Sequence, residues 1–419
     1  MKQINQSILA ILVFSGLFFS EDIQAQLNID AQLRSRFEIR DGYRQLAPDG
    51  SFPVMFVSQR TRLSISYESE NLKLKFTPQD VRIWGDEQIA NSTGIYGDNA
   101  SLDLLEAFAE IKLGKLGWIS VGRQQLVYDS QRLLGARNWN QNGLAYDALI
   151  FKKNINKWNL HAGGTWNTSG DSPIDNLYLP ERIKTLDYLW INYALNESLN
   201  ISFLHIASGS TESDSTRKLN FRQTTGLSAT YKSEKLNFKS NTYYQYGKNN
   251  QGIRMNAFLC DADLSYKFQW WNIGLGTSYL SGDSNPGDNT DHLFNVLYGA
   301  RHRYFGNMDY FRDFSKHTNE GGLSDIYGYF DIKFPHKISL NNTTHYFSLA
   351  KTNSLTPPDK QLGIENDITL TFKLNKWCAI KGAYLFFLPS PALNTLQSVP
   401  VSKFSQYIYL ELTIKPSFI

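Results

Sequence analysis

Charged side chains recur at every second position in several early stretches of this chain. The segment QLRSRFEIR, residues 32–40, interleaves Arg34, Arg36, Glu38 and Arg40 with Leu33, Phe37 and Ile39. QRTRLSISYES, residues 59–69, does the same with Arg60, Arg62 and Glu68, and LKLKF, residues 72–76, adds Lys73 and Lys75. LLEAFAEIKL, residues 104–113, carries Glu106, Glu110 and Lys112 on one alternating set. Side chains at i and i+2 share one face of a strand. Each segment therefore has an apolar face and a face dense in guanidinium, ammonium and carboxylate.

The chemistry open to such ladders is electrostatic. Rows of cations lower the barrier for an anion, and carboxylates between them hold the guanidiniums apart. The same pattern would also suit a self-neutralising network that fills an interior and passes nothing. Covalent catalysis has little footing. His161, His205 and His345 stand singly in strand-like runs, and no G-x-S-x-G elbow is present. No enzymatic activity is expected.

Ladders of this kind need strands to display them, and the composition supplies strand-formers. Aromatic residues make up 14% of the chain, with 23 Tyr and 26 Phe, while helix-favouring blocks are scarce. Period-2 runs fall near 27–40, 55–69, 72–84, 103–113, 117–124, 145–152, 157–167, 184–194 and 198–207. They continue near 221–231, 236–247, 255–267, 272–281, 323–334, 338–348, 363–373, 377–387 and 406–415. Short turns such as GKL, KNIN, LNE and KSEK alternate with long polar loops from first run to last. A soluble sandwich has no reason to gather its long loops at one end, whereas an outer-membrane barrel does. The expected fold is all-β: a transmembrane antiparallel up-and-down β-barrel of about eighteen strands, with short periplasmic turns and long extracellular loops. Run lengths match the roughly 9–11 tilted residues needed to cross the hydrocarbon, and closure satisfies every backbone group in lipid.

In this frame Leu33, Phe37 and Ile39 face lipid and their charged neighbours face the lumen. Pro78 is expected to mark a bulge, because Val81 and Ile83 fall out of phase with Leu72 and Leu74. Arg82 would then turn inward beside the other cations. Rows of Tyr243, Tyr244 and Tyr246, and the pair Trp270–Trp271, suit the interfacial girdles. The last run, QYIYLELTIKPSFI, ends with Phe418, close to the terminal aromatic of such barrels.

The opening residues, MKQINQSILAILVFSGLFFSEDIQAQ, have an early Lys2, an apolar stretch from Ile8 to Phe19 and Ala25 at a cleavage position. This layout predicts a cleaved signal peptide over 1–25 and a barrel over 26–419. Cleavage removes Lys2, Glu21 and Asp22, raising the net charge of +3 by one. So mild a balance gives no support to nucleic-acid binding. Cys260 and Cys378 show no metal or redox spacing and read as small apolar fillers.

One block is more specific. Glu106-Ala107-Phe108, Gly122-Arg123-Gln124, Asp129 and Tyr146-Asp147-Ala148-Leu149 follow in an order that resembles the alginate-export family of outer-membrane barrels. RYFGNMDYF (303–311) followed by GGLSDIYGY (321–329) resembles its Bacteroidetes-type members. The resemblance implies an eighteen-stranded barrel whose narrow, arginine-rich lumen passes an anionic polysaccharide, oligosaccharide or other anionic solute outward. It also implies a bilayer and lipopolysaccharide around the wall and assembly by the barrel-assembly machinery. Arg123 would be a lumen or constriction residue, and Asp129 and Arg132 would belong to an inward-folding lid. A nutrient-uptake porin would share this architecture; an adhesive barrel is a further alternative.

The longest loop, 282–322, offers two more candidates. Arg301 and Arg303 in ARHRYF suit an inward-folded constriction or a solvated rim. Asp283, Asp288 and Asp291 in SGDSNPGDNTDHLF have oxygens suited to a structural calcium, although Asp, Asn, Gly and Pro also build ordinary turns. No other cofactor is expected.

Overall fold

A computed structural model describes residues 26–86, 89–90, 94–95, 102–171, 173–174 and 178–418; the expected signal peptide lies outside the described residues. The first nine strands are β1 (Gln26–Asp41), β2 (Val54–Glu68), β3 (Leu72–Ile83), β4 (Leu102–Lys112), β5 (Trp118–Gln124), β6 (Tyr146–Ile155), β7 (Trp158–Trp166), β8 (Thr185–Ala194) and β9 (Leu199–Thr211). The other nine are β10 (Leu219–Lys232), β11 (Leu236–Gly247), β12 (Ala257–Lys267), β13 (Trp271–Leu280), β14 (Leu323–Phe334), β15 (Ile338–Ser348), β16 (Gln361–Lys373), β17 (Cys378–Pro389) and β18 (Ser405–Ile414). Each pairs antiparallel with its sequence neighbours, and β1 closes on β18 from Leu33↔Ile414 to Asp41↔Gln406. Among the described residues these eighteen strands form one closed barrel.

Alternation decides what each face meets. Leu63, Leu74, Phe76, Ile111, Leu149, Leu227, Leu275 and Leu410 are exposed on the outer face, where lipid covers them. Trp270 and Trp377 are exposed at two of the short turns, at the level of an aromatic girdle. Tyr244 and Tyr246 also face out, but Tyr243 does not. It lies on the opposite set with Asn241 and Gln245 and is 2% exposed, so it leaves the expected girdle for the interior.

A register shift does fall at Pro78, between Thr77 and Pro78 in the pairing of β3 with β4, but it does not shift the phase of β3 itself. Pairing with β2 keeps one register from Glu68↔Lys73 to Ser58↔Ile83. The extra residue is in β4, where Leu105 lies between Glu106 and Leu104. Gln79 and Val81 consequently face in with Arg62 and Arg60. Arg82 faces out beside Asp80, which its guanidinium meets at 2.8 Å, contrary to the expected inward turn.

A hydrophobic core fills much of the lumen. Segments 125–145 and 281–322 fold inward and pair with one another, Tyr298 N–H donating to Leu133 O at 3.0 Å and Ala300 N–H to Gln131 O at 2.9 Å. Leu126, Leu133, Phe294, Leu297, Phe305 and Phe311 from these loops pack on inward wall residues such as Ile206, Leu259, Phe347 and Phe387. Short helices α1 (Phe314–His317) and α2 (Pro391–Leu396) lie within the long connections.

Candidate pore and loop-built constriction

The inward ladders of β1 and β2 bind the loop they surround. Arg34 donates to the carbonyl oxygens of Asn138 (2.8 Å), Trp139 (3.1 Å) and Asn140 (3.1 Å), and to Gln141 Oε1 at 2.7 Å. Arg60, fully buried, reaches Gln141 O at 3.3 Å and Gln32 Oε1 at 2.7 Å. Arg62 donates to Gln79 Oε1 (2.9 Å), Gln141 O (3.2 Å) and Asn142 O (3.1 Å). Arg36 lies over the Trp139 ring at 3.8 Å and donates to Glu38 Oε1 at 2.9 Å. A backbone carbonyl is a neutral acceptor, so the bonds from Arg34, Arg60 and Arg62 to loop 138–142 satisfy N–H groups without themselves neutralising charge.

Carboxylates hold the remaining ladder residues. Arg40 meets Glu38 at 2.7 Å, Lys75 meets Glu106 at 2.6 Å, Lys73 pairs with Glu68, and Lys152 pairs with Glu110. Arg34 and Arg36 also face Glu411, at 3.8 and 3.5 Å. The expected patch of wall exists as a surface, yet most of it is already engaged.

Arg123 departs from its expected place. It stands opposite Ala107 and Asp147 on the outward set of β4, β5 and β6. There it forms a two-pronged pair with Asp147, Nε at 3.0 Å and Nη2 at 2.9 Å. Gln124, its neighbour, turns inward and donates to Ala148 O at 3.2 Å. Gly122 has φ of +119°, and a Cβ there would run into the Ala107 carbonyl. The recurring block is thus a clasp of three adjacent strands: Ala107, Arg123 and Asp147 in one row, Phe108, Gly122 and Ala148 in the next.

Asp129 and Arg132 lie in the infolded loop. Trp190 Nε1–H donates to Asp129 at 3.0 Å; burial outweighs such bonds and pushes that carboxyl above its ordinary value. Arg132 pairs with Asp261 at 2.7 Å, donates to Ser278 Oγ at 2.7 Å and stacks on Tyr304 at 3.9 Å. Arg301 donates to Arg312 O (2.7 Å) and Leu297 O (3.0 Å), whereas Arg303 is exposed. A three-loop knot sits nearby: Trp139 stacks on His302 at 3.8 Å, His302 meets Asp309 at 2.9 Å, and Tyr43 O–H donates to Asp309 at 2.6 Å.

The calcium candidates have other occupations. Asp283 accepts from the Asn285 and His292 N–H groups, Asp288 from Thr290 N–H, and Asp291 from Leu293 N–H and Asn249 Nδ2. They are turn-forming carboxylates, and no cluster able to hold a metal occurs among the described residues. Of the singled-out histidines, His161 contacts Tyr128 Oη at 3.0 Å, His205 contacts Thr225 on the outer face, and His345 meets Asp325 at 3.0 Å.

Between loop and wall lies a cavity of about 970 Å³. Arg34, Arg137, Arg301, Arg303, Arg312, Lys316 and Lys381 line it, against Asp309, Asp313 and Glu411. Arg303, Lys316 and Lys381 form no ion pair or side-chain hydrogen bond among the described residues. The sequence reading missed Arg312, Lys316 and Lys381. A usable signal was the loop's own content, since Leu293, Phe294, Val296, Leu297, Phe305 and Phe311 are too apolar for a solvated segment.

A closed wall with a lipid-facing apolar surface, loops folded into its lumen and a charged chamber between loop and wall is the architecture of an outer-membrane β-barrel. Solved structures of the same shape include OccAB4 of Acinetobacter baumannii, with a TM-score of 0.63 at 13% identity, covering 94% of this chain and 98% of that one. OccK8 (OprE) of Pseudomonas aeruginosa gives 0.62 at 12% identity, covering 96% and 100%. OpdK of the same organism, solved with vanillate, gives 0.59 at 12% identity, covering 94% and 99%. No curated protein compared with the chain matches it. The family model described as alginate export matches residues 25–312, and the chain belongs to that family. It is a β-barrel channel of the bacterial outer membrane.

Proposed function

We propose that this channel passes small or oligomeric anionic solutes, selected in the chamber between loop 281–322 and the β1, β16–β18 wall. The observation that carries this reading is the unengaged set Arg303, Lys316 and Lys381. In a confined polar space such charges lower the barrier for an anion and raise it for a cation. The β1–β2 arginines support the reading indirectly, by pinning the loop that narrows the passage. A chamber of about 970 Å³ suits an oligosaccharide segment or a smaller acid. Export of an acidic polysaccharide is the reading that the alginate-export family supports. Specific uptake of a small acid is the second reading, favoured by the likeness to OpdK, solved with the carboxylate vanillate. In either case lipopolysaccharide surrounds the wall, and the barrel-assembly machinery inserts it.

The test is reversal potential in planar bilayers under a salt gradient, comparing the unaltered chain with Arg303→Glu/Lys316→Glu/Lys381→Glu. Anion preference that falls severalfold or inverts supports the reading. Unchanged preference, or no conductance from correctly folded barrels, overturns it.

A further inference from the structure

Among the described residues, β4 has a β-partner over less of its length on one side than on the other. Strand β5 stops at Gln124, so β4 pairs with it only over Ala107–Lys112. On its other edge β4 pairs with β3 as far as Leu102. The β5-side edge from Leu102 to Glu106 therefore borders a notch at the extracellular end. Arg123 lies across that notch. While holding Asp147 of β6, its guanidinium donates to Leu104 O of β4 at 3.4 Å and stands 3.9 Å from Asp103.

A cavity of about 560 Å³ occupies this place, and residues of both faces line it. Arg123 and Asp147 belong to the outer face, Gln79 and Tyr146 to the inner, and Arg137 to the infolded loop. Arg137 also lines the cationic chamber, so the two spaces adjoin across one side chain. Leu104, Leu105, Leu144 and Ile183 supply apolar surface around the charges. Among the described residues this edge has no strand partner, and such an edge beside an outward ion pair is excluded from hydrocarbon. The notch therefore opens into the headgroup layer.

We infer that this notch is a side door between the cationic chamber and the outer leaflet, taking anionic amphiphiles with one compact headgroup, and that Arg123 is its bar. This rests on the anion-selective reading above. The headgroup passes once the Arg123–Asp147 bar swings aside and is met by Arg137, while the tail stays on the leucines and in the leaflet.

Dodecanesulfonate below its micellar concentration is a suitable probe, because it stays ionised and cannot cross a bilayer as a neutral acid. Its uptake into proteoliposomes would be compared with that of gluconate, for the unaltered chain and Arg123→Ala. The side door predicts severalfold faster sulfonate entry in the variant with gluconate entry unchanged. Parallel changes in both, or in neither, overturn it. A diazirine-tagged dodecanesulfonate on the unaltered chain covers the case of a misfolded variant. Labelling at residues 102–106 and 143–147 supports the door, and labelling confined to the lipid-facing wall overturns it. Loss of gluconate preference over choline in the unaltered chain would remove the anion-selective reading while leaving the cross-linking result to judge the door.

Discussion

At Arg60 the guanidinium touches loop carbonyls and Gln32, with no solvent contact. Replacing it by Ala leaves Gln32 Oε1 without its donor, at about 1–3 kcal/mol, and leaves Gln141 O to Arg62 alone. Arg60→Ala is therefore expected to loosen segment 138–142, with larger and noisier single-channel currents. Arg303→Ala should change thermal stability by less than about 0.5 kcal/mol, as an exposed position, yet lower anion preference. Asp309 gives a pH dependence. Burial works to raise its carboxyl, but His302 at 2.9 Å, Tyr43 O–H and Arg312 hold it below the ordinary value of 3.8. A depressed carboxyl contributes stability that is full above 3.8 and lost as pH falls through the lower folded value. Current noise should accordingly rise in the unaltered chain below that pH. Asp309→Asn should lose this transition and be noisy at neutral pH too.

Among the strands, the EAF–GRQ–YDAL block is read best as three strands in register. Arg123 stands between Ala107 of β4 and Asp147 of β6 and pairs with the latter, and Gly122 accepts a backbone angle that most residues avoid. Gly122→Ala should destabilise the barrel by about 1–3 kcal/mol, measured as a lower urea midpoint in detergent, with no change in ion preference. The long loop is fastened in a similar way. Asn307 N–H donates to Asp367 at 3.1 Å and Met308 N–H to Glu365 at 2.7 Å, both carboxylates buried on β16. Gly306 lies against the Glu365 carboxylate with no room for a Cβ. A barrel interior thus serves as the core against which loop 281–322 folds.

For the molecule as a whole, selectivity should depend on salt. The screening length falls from about 10 Å at about 0.1 M to about 3 Å at about 1 M. A chamber whose cations act across open space should lose much of its anion preference over that range, read from reversal potentials at fixed gradient. Loops held by carbonyl contacts inside the barrel are screened far less, so mean conductance per unit of bulk conductivity should hold steadier than selectivity does.

Strand number, closure and the face of nearly every ladder residue were legible in the sequence, because alternation is local and a lipid-facing wall punishes any break in it. Arg34, Arg36, Arg60 and Arg62 point inward for that reason alone. Arg82 escaped the reading because β3 holds its register and its partner strand takes the bulge, a matter settled between two strands. Arg123 escaped because parity along β5 is set by what it pairs with, Ala107 and Asp147, and not by its charge. The ladder's occupation by Asn138–Gln141 carbonyls lies more than a hundred residues away from Arg34 in the chain. Only the infolding of two loops onto one another decides it, since a guanidinium cannot show in sequence whether its acceptor will be a solute or the protein's own backbone.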